Sequence, residues 1–470
     1  MLQPFRCTVL ALSVWAIGLS AAQATNLLDV WQAAQQHDRE HAVARAAHAS
    51  AQPQRDQATA LWRPHIALSA TAGMGSSETD TQGAQFAAPG MGRSNGVDFS
   101  TSVTGGTVSR WAIQASQPLY NPQRQAQQQQ LRLAADQAEL QWRAAQQALI
   151  LRTAQRYLDV AIAQEALRVL DQQLAAVQRA ATEVQDRFDL GSAPITDTHE
   201  ARARLAALRA QRLAAQTTLE IQQRLLADST GLPTSALQPH LPGTAVAAPA
   251  RELAAWQAQA EAANPELQLQ RLGVDLARAQ ASQYRLGASA SVDLVAQAGQ
   301  ERLHGSGDFG SARNKGSNAL IGVQLTVPLW TGGLRSAKEA QALRQLDQAQ
   351  AQVESTQTAV AQQVHAAWLG LTAGRERVQA LSEALQASQS RREATQVGHE
   401  VGHRTTLDLL NAENDTASAH LALTQARAAL LLDSLRLAAL AGQLDETALR
   451  AANALLEPAP APLATAATGS

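Results

Sequence analysis

Apolar positions recur along this chain in two rhythms. Ile66, Leu68, Ala70 and Ala72 alternate with Ser69 and Thr71, and Ile321, Val323, Leu325 and Val327 alternate with Gln324 and Thr326. A period of two is what a strand with one apolar and one polar face requires. Elsewhere the spacing is helical. Leu167, Leu170, Leu174, Val177, Ala181, Val184 and Phe188 follow a 3,4,3,4 spacing, the seam of a coiled coil. After Pro122, suited to a first helical position, nothing breaks the pattern until Gly191 and Pro194. That run of nearly 70 residues would measure roughly 100 Å at ~1.5 Å per residue, and residues 335–401 form a second run of similar length. The strands are expected over residues 64–74, 107–119, 287–298 and 318–329, with 75–106 and 299–317 as Gly-, Ser-, Thr- and Asn-rich loops.

The chain matches itself. Gln117-Pro118-Leu119-Tyr120 aligns with Val327-Pro328-Leu329-Trp330, Asp189-Leu190-Gly191 through Asp197 with Glu400-Val401-Gly402 through Asp408, and Gly231 with Gly442. Nearer the start of each half, Trp31 aligns with Trp256 and Asp38-Arg39-Glu40 with Asn264-Pro265-Glu266. Each half then reads as a helix of about 35 residues, a strand, a loop, a strand, a very long helix, a tight turn and a second helix. The expected division is a first repeat over 25–240 and a second over 241–456.

Residues 1–24 read as a removable secretory signal: Arg6 precedes an apolar run over 9–19, and Ala22-Gln23-Ala24 is a small-x-small cleavage pattern. Cys7, the only cysteine, sits at the front of that run and leaves with it, so no thiol remains for a disulfide, a metal or a nucleophile. The Pro- and Ala-rich tail over 457–470 is expected to be disordered. With 38 Lys+Arg against 40 Asp+Glu, the formal charge of −2 offers no basic excess for nucleic acid.

Past the signal no stretch is apolar enough for a spanning helix, so any membrane passage must use strands. Trp62, Tyr120, Tyr284 and Trp330 each flank a strand at its helix-joined end, as an aromatic girdle at a membrane interface does. The alternative is a soluble periplasmic coiled-coil adaptor or scaffold whose aromatics pack at strand-helix joints. Four strands cannot close a barrel alone, and open edges in lipid leave backbone amides unpaired at several kcal/mol each. Several copies must pool their strands.

The joints QPLYNPQ and VPLWTGGLRSA, the turns RFDLGSAPITDTHEARA and GHEVGHRTTLDLLNAEN, and the segment ARAALLLDSLRLAALAGQL resemble the TolC family of outer-membrane channel proteins over nearly the whole mature chain. The resemblance implies a fold that is mainly α with a membrane β-barrel: a trimeric, internally duplicated α/β-barrel with four strands and long coiled-coil helices per protomer. It implies a homotrimer set in outer-membrane lipid and extending into the periplasm. Its partners would be a periplasmic adaptor (membrane fusion protein) and an inner-membrane transporter. The function implied is that of a passive conduit in a tripartite efflux pump or type I secretion system, carrying protein or small molecules, with no cofactor. By the same resemblance Asp408 falls at a gate constriction, where Asn411 replaces a second carboxylate. Three copies of Asp408 around one axis should raise at least one pKa. Arg404 with Thr196 and Asp197 forms a latch between the tips, with His399 in place of the usual tyrosine as a pH-sensitive partner of Asp197. Gly191-Ser192 and Gly402-His403 match adaptor-docking turns.

His399-Glu400-Val401-Gly402-His403 also fits H-E-x-x-H, but that zinc chemistry needs both imidazoles on one continuous helix and a third ligand. Gly402 falls at a turn, so no metal site is expected. Without a G-x-S-x-G or phosphate-loop motif, no catalytic residue is assigned.

Overall fold

The computed structural model describes residues 26–90, 92–243, 251–285, 290–307 and 310–456. The expected signal and tail lie outside these residues, as does the beginning of the strand expected from residue 287. The helices are α1 (Leu27–His37), α2 (Arg39–His48), α3 (Ala51–Ala60), α4 (Pro122–Asp189), α5 (Ile195–Thr230), α6 (Leu253–Ala263), α7 (Pro265–Gln283), α8 (Leu334–Glu400), α9 (Thr406–Leu440) and α10 (Glu446–Asn453). The strands are β1 (His65–Ala88), β2 (Gly92–Tyr120), β3 (Ser291–Gly307) and β4 (Gly310–Thr326). Both halves therefore run helices, two strands, a very long helix and a second helix. α4 is unbroken over 68 residues and α8 over 67.

The chain forms two compact units, each drawn from both halves. One holds residues up to Ala46, Gln141–Gln268 and the chain from Thr356 onward; the other holds Ala47–Leu140 and Leu269–Ser355. In the first, Leu27, Val30 and Trp31 of α1 pack with Leu149, Tyr157 and Leu158 of α4, Leu226 of α5 and Leu431 and Leu435 of α9. Burial pushes the Tyr157 phenol up to about 12, its oxygen accepting the His240 amide at 2.8 Å. A second cluster joins Val360, Val364 and Leu371 of α8 to Leu423 and Leu430 of α9. The α4 seam is the buried face of its helix: Val177 and Val184 are fully buried and the other five seam residues half-buried.

The helix expected at the head of each half is instead broken at a buried polar residue. Asp38 ends α1 in extended backbone (ψ 122) and its Oδ1 accepts the His41 amide at 2.9 Å, starting α2. Asn264 does the same between α6 and α7 (ψ 124), its Oδ1 accepting from Leu267 at 3.0 Å while its Nδ2 donates to the Leu440 carbonyl at 3.0 Å. An Asx side chain that caps the next turn outcompetes helix continuation, and Pro265 further disfavours α backbone at Asn264. The first head breaks again after His48.

The strands are longer than expected, because residues 75–88, 92–106, 299–307 and 310–317 continue the ladders. Ser and Thr fit a pleated surface as Val and Ile do, and the glycines are taken up at register shifts, as at Gly75/Ser77 and Thr104/Thr107. The sheet is antiparallel in the order β1-β2-β3-β4. Its outward face carries Ile66, Leu68, Ile321, Val323 and Leu325, each 65% to 75% exposed. Ala112 and Leu303 on the other face are buried, and there Arg110 pairs with Glu301 across β2 and β3. Gly305 faces Gly106 so closely that a Cβ would fall 2.6 Å from its Cα. These bare positions let the sheet curl. Among the described residues β1 and β4 each have one unpaired edge.

Asp38 also accepts from Arg152 at 2.7 Å, while its second oxygen lies 3.8 Å from Arg156. Asp38→Ala strips both the cap and the buried partner of Arg152, so a loss of about 3 kcal/mol is expected. Asp38→Asn, which copies Asn264, keeps the cap and should lose clearly less. Denaturant unfolding followed by far-UV circular dichroism checks the order; equal losses would contradict it.

Candidate functional site

The two helical hairpins end in the same turn. At the end of α4 the Gly191 amide donates to the Phe188 carbonyl (2.8 Å) and the Ser192 amide to the Arg187 carbonyl (2.8 Å). At the end of α8 the Gly402 amide donates to His399 (3.0 Å) and the His403 amide to Gly398 (2.8 Å). Gly191 and Gly402 have φ of 75° and 79°. This is the Schellman closure, whose left-handed residue glycine adopts without a Cβ clash. Both glycines are open to solvent, and so are Ser192 and His403.

The helices that leave these turns start differently. Thr405 caps α9: its hydroxyl accepts the Asp408 amide at 3.1 Å, and Asp408 Oδ2 accepts the Thr405 amide at 3.1 Å, a closed capping box. α5 begins on Pro194, which has neither a hydroxyl nor an N–H. Asp197, aligned with Asp408, therefore cannot close such a box and instead accepts the Thr196 hydroxyl at 3.3 Å.

The Thr405 amide, and then its hydroxyl, hold the Asp408 carboxyl below the usual carboxylate range, with the Arg404 charge adding to this. In the protomer this direction is opposite to the rise expected for three carboxylates around an axis.

Val184, Asp197, Glu200, Thr405, Leu407 and Leu410 line a crevice of about 150 Å³ between the tips. Above it Val177, Leu208 and Leu410 form a small buried cluster tying α4, α5 and α9 together. The Arg404 stem lies across Gly398, where a Cβ would meet its Cγ at 2.8 Å. Arg404 makes no hydrogen bond to Thr196 or Asp197 in this chain, and His399 Nε2 lies 3.1 Å from the Thr406 hydroxyl rather than on Asp197. The chain thus brings Asp197 and Thr405–Asp408 to one crevice but leaves the expected latch partners unjoined within the protomer.

One direct bond between the hairpins involves Arg204, which no sequence motif singled out: its Nη1 donates to Asn411 Oδ1 at 3.2 Å. Arg204 follows Asp197 by two helical turns on the same face of α5, the one signal in the sequence that could have pointed to it. His420 of α9 and Glu165 of α4 form a second link, at 2.5 Å. The H-E-x-x-H run straddles the end of α8, with His403 beyond it in the turn.

Near the strand-helix joints Tyr120 is 52% and Trp330 88% exposed, whereas Trp62 and Tyr284 are half-buried. The Trp62 carbonyl accepts from Gln117 (2.7 Å), and the Lys338 ammonium lies 5.7 Å from the Tyr284 ring centre.

The family model described as "Outer membrane efflux protein" matches residues 30–232 and 256–443. The chain belongs to the outer membrane efflux protein family. The matched segments run from within α1 through α5, and from α6 through α9. The chain is 30% identical over 262 residues to the outer membrane efflux protein BepC of Brucella suis, covering 54% of this chain and 55% of that one. To the outer membrane protein TolC of Escherichia coli it is 29% identical over 300 residues, 62% of this chain and 60% of that one. Aligned stretches thus span between half and two thirds of these relatives. The crystal structure of VceC from Vibrio cholerae superposes with a TM-score of 0.69 at 19% identity, over 89% of this chain and 97% of that one. The fold is that of this outer membrane protein. As a member of the outer membrane efflux protein family, the chain resides in the outer membrane and extends into the periplasm. No helix among the described residues is long and apolar enough to cross a membrane, and the strands are the elements with a lipid-compatible face.

The capping box makes the Asp408 shift testable. A carboxyl whose folded pKa is depressed contributes stability that is full above its unfolded value of about 3.9 and is lost as pH falls through the folded value. Thr405→Ala should raise the Asp408 midpoint toward the ordinary range, read from its carboxyl ¹³C shift. An unchanged midpoint would show that the Thr405 hydroxyl does not contribute to it.

Proposed function

We propose that three copies of this chain pool their strands into one barrel in the outer membrane and their helices into a periplasmic conduit. The passage is passive, with energy supplied by an inner-membrane transporter reached through a periplasmic adaptor. The observation that carries this reading is the sheet: the apolar rows of its outward face near the helices are exposed, and among the described residues both its edges are unpaired. Edges of this kind are tolerated in lipid only if neighbouring copies pair with them. The names of BepC and TolC, an efflux protein and an outer membrane protein, support transport and do not choose between small molecules and secreted protein. The two sequence repeats, 25–240 and 241–456, would each contribute one hairpin of strands and one of helices.

The gate belongs at the tips. Asp408 points a solvated carboxylate from the first turn of α9, and Asn411 one turn on is neutral and held by Arg204. Three copies would make a single negative ring. Arg404 and Asp197, each without an ionic partner among the described residues, suit a latch between neighbouring protomers, since a guanidinium can bond a hydroxyl and a carboxylate together. Thr196 and His399 would flank it. The exposed turns at Gly191-Ser192 and Gly402-His403 offer close backbone approach for an adaptor. Tyr120 and Trp330, with Trp62 and Tyr284 behind them, would sit at the periplasmic level of the bilayer.

Planar-bilayer recording of the purified chain tests this. Wild type should give discrete, cation-selective openings, Asp408→Asn should lower the selectivity, and Arg404→Ala should raise the open fraction. A chain that never conducts would overturn the conduit reading, and selectivity unchanged by Asp408→Asn would remove the ring.

A further inference from the structure

The outward face of the sheet changes character along its length. Across the register, the rows Ile66–Ala115–Ala296–Ile321 and Leu68–Ile113–Ala298–Ala319 are wholly apolar. The row Ala70–Trp111–Gln300–Ser317 follows, and then Ala72–Ser109–Arg302–Lys315 and Met74–Thr107–His304–Arg313. Residues directly opposite one another project from the same side of a sheet. Arg302, His304, Arg313 and Lys315 therefore stand on the face that carries the apolar belt, at its end away from the helices. All four are exposed.

Among the described residues, Arg302, Arg313 and Lys315 have no carboxylate partner. Arg302 Nε donates to Gln300 Oε1 at 3.0 Å, and the carboxylate next to it, Glu301, projects from the opposite face onto Arg110. Like charges directly opposed across strands are destabilising, and Arg302 is directly opposed to Lys315. Protection of the β4 edge could account for Arg313 and Lys315, but Arg302 and His304 lie on β3, which is paired on both sides.

Their height is informative. From Leu325 to Lys315 is ten residues of β4, about 34 Å of strand and about 26 Å once tilted by ~40°. The lipid-facing band of such barrels is about 25 Å tall. The basic rows thus begin where the band ends, at the level of the outer-leaflet headgroups, and a cavity of about 730 Å³ opens among these four side chains.

We propose that Arg302, His304, Arg313 and Lys315 form a binding site for the phosphate groups of the phosphorylated glycolipid of the outer leaflet, whose acyl chains lie along the belt below. This rests on the reading that the sheet lines an outer-membrane barrel. Guanidinium groups pair with phosphate in two-pronged fashion, and each cation at an anionic lipid surface contributes measurably.

The test is native mass spectrometry of the full chain in neutral detergent, titrated with bisphosphorylated lipid A. Wild type should retain the lipid. The Arg302→Gln/Arg313→Gln/Lys315→Gln variant should bind on the order of a hundredfold more weakly. Arg302→Gln alone should lose roughly fivefold, and Arg302→Lys should recover part of that loss. Arg110→Gln on the other face should bind as wild type does. Dephosphorylated lipid should not be retained, and inorganic phosphate at equal concentration should not displace lipid A. Equal binding by wild type and the triple variant, or equal retention of the dephosphorylated lipid, would overturn the site. Insertion into phosphatidylcholine vesicles separates the two readings. Wild type that inserts but does not retain lipid A loses only this site; wild type that inserts nowhere loses the barrel as well.

Discussion

Everything in this protein follows from what a backbone amide costs in hydrocarbon. A sheet of four strands with an apolar outward face is suited to lipid on that face alone, since its first and last strands present rows of free N–H and C=O groups. No side chain can repair this. Only another strand can, which is why we propose that copies of the chain pair at these edges. The long helices differ in this, with α4 burying its seam against α5 and α9 within the chain while polar Gln and Arg cover other faces.

The two halves show how one architecture is held by different chemistry. Asp38 and Asn264 perform the same capping step, yet the first anchors Arg152 and the second an α9 carbonyl. At the tips Gly191 and Gly402 close the same turn, yet Pro194 leaves Asp197 uncapped while Thr405 engages Asp408. The equivalent carboxylates are thereby held differently, one closing its own helix cap and the other accepting only the adjacent Thr196 hydroxyl.

Periodicity made much of this legible in the sequence. The alternation around Ile66 and Ile321 marked strands with one apolar face, the 3,4 spacing from Leu167 to Phe188 marked the buried face of α4, and Gly191 and Gly402 marked the turns. The breaks at Asp38 and Asn264 were less legible, because a cap competes with helix propensity only once its side chain is held by packing. Strand extension through the Gly- and Ser-rich segments was missed because those residues are equally at home in turns. Side-chain pairing at the tips was the least legible. Arg204 meets Asn411 across 207 positions of sequence, and His399 turns to Thr406, seven residues away, rather than to the other hairpin. Such choices depend on helix rotation, which no single-sequence pattern encodes.

The most direct measurement is the mass of the intact protein particle in detergent, by native mass spectrometry after the detergent is shed. Three chains in one particle, with no stable smaller species, is the result the edge argument requires. A monodisperse single chain that still inserts into bilayers would show that the sheet satisfies its edges alone, contradicting the account at its base.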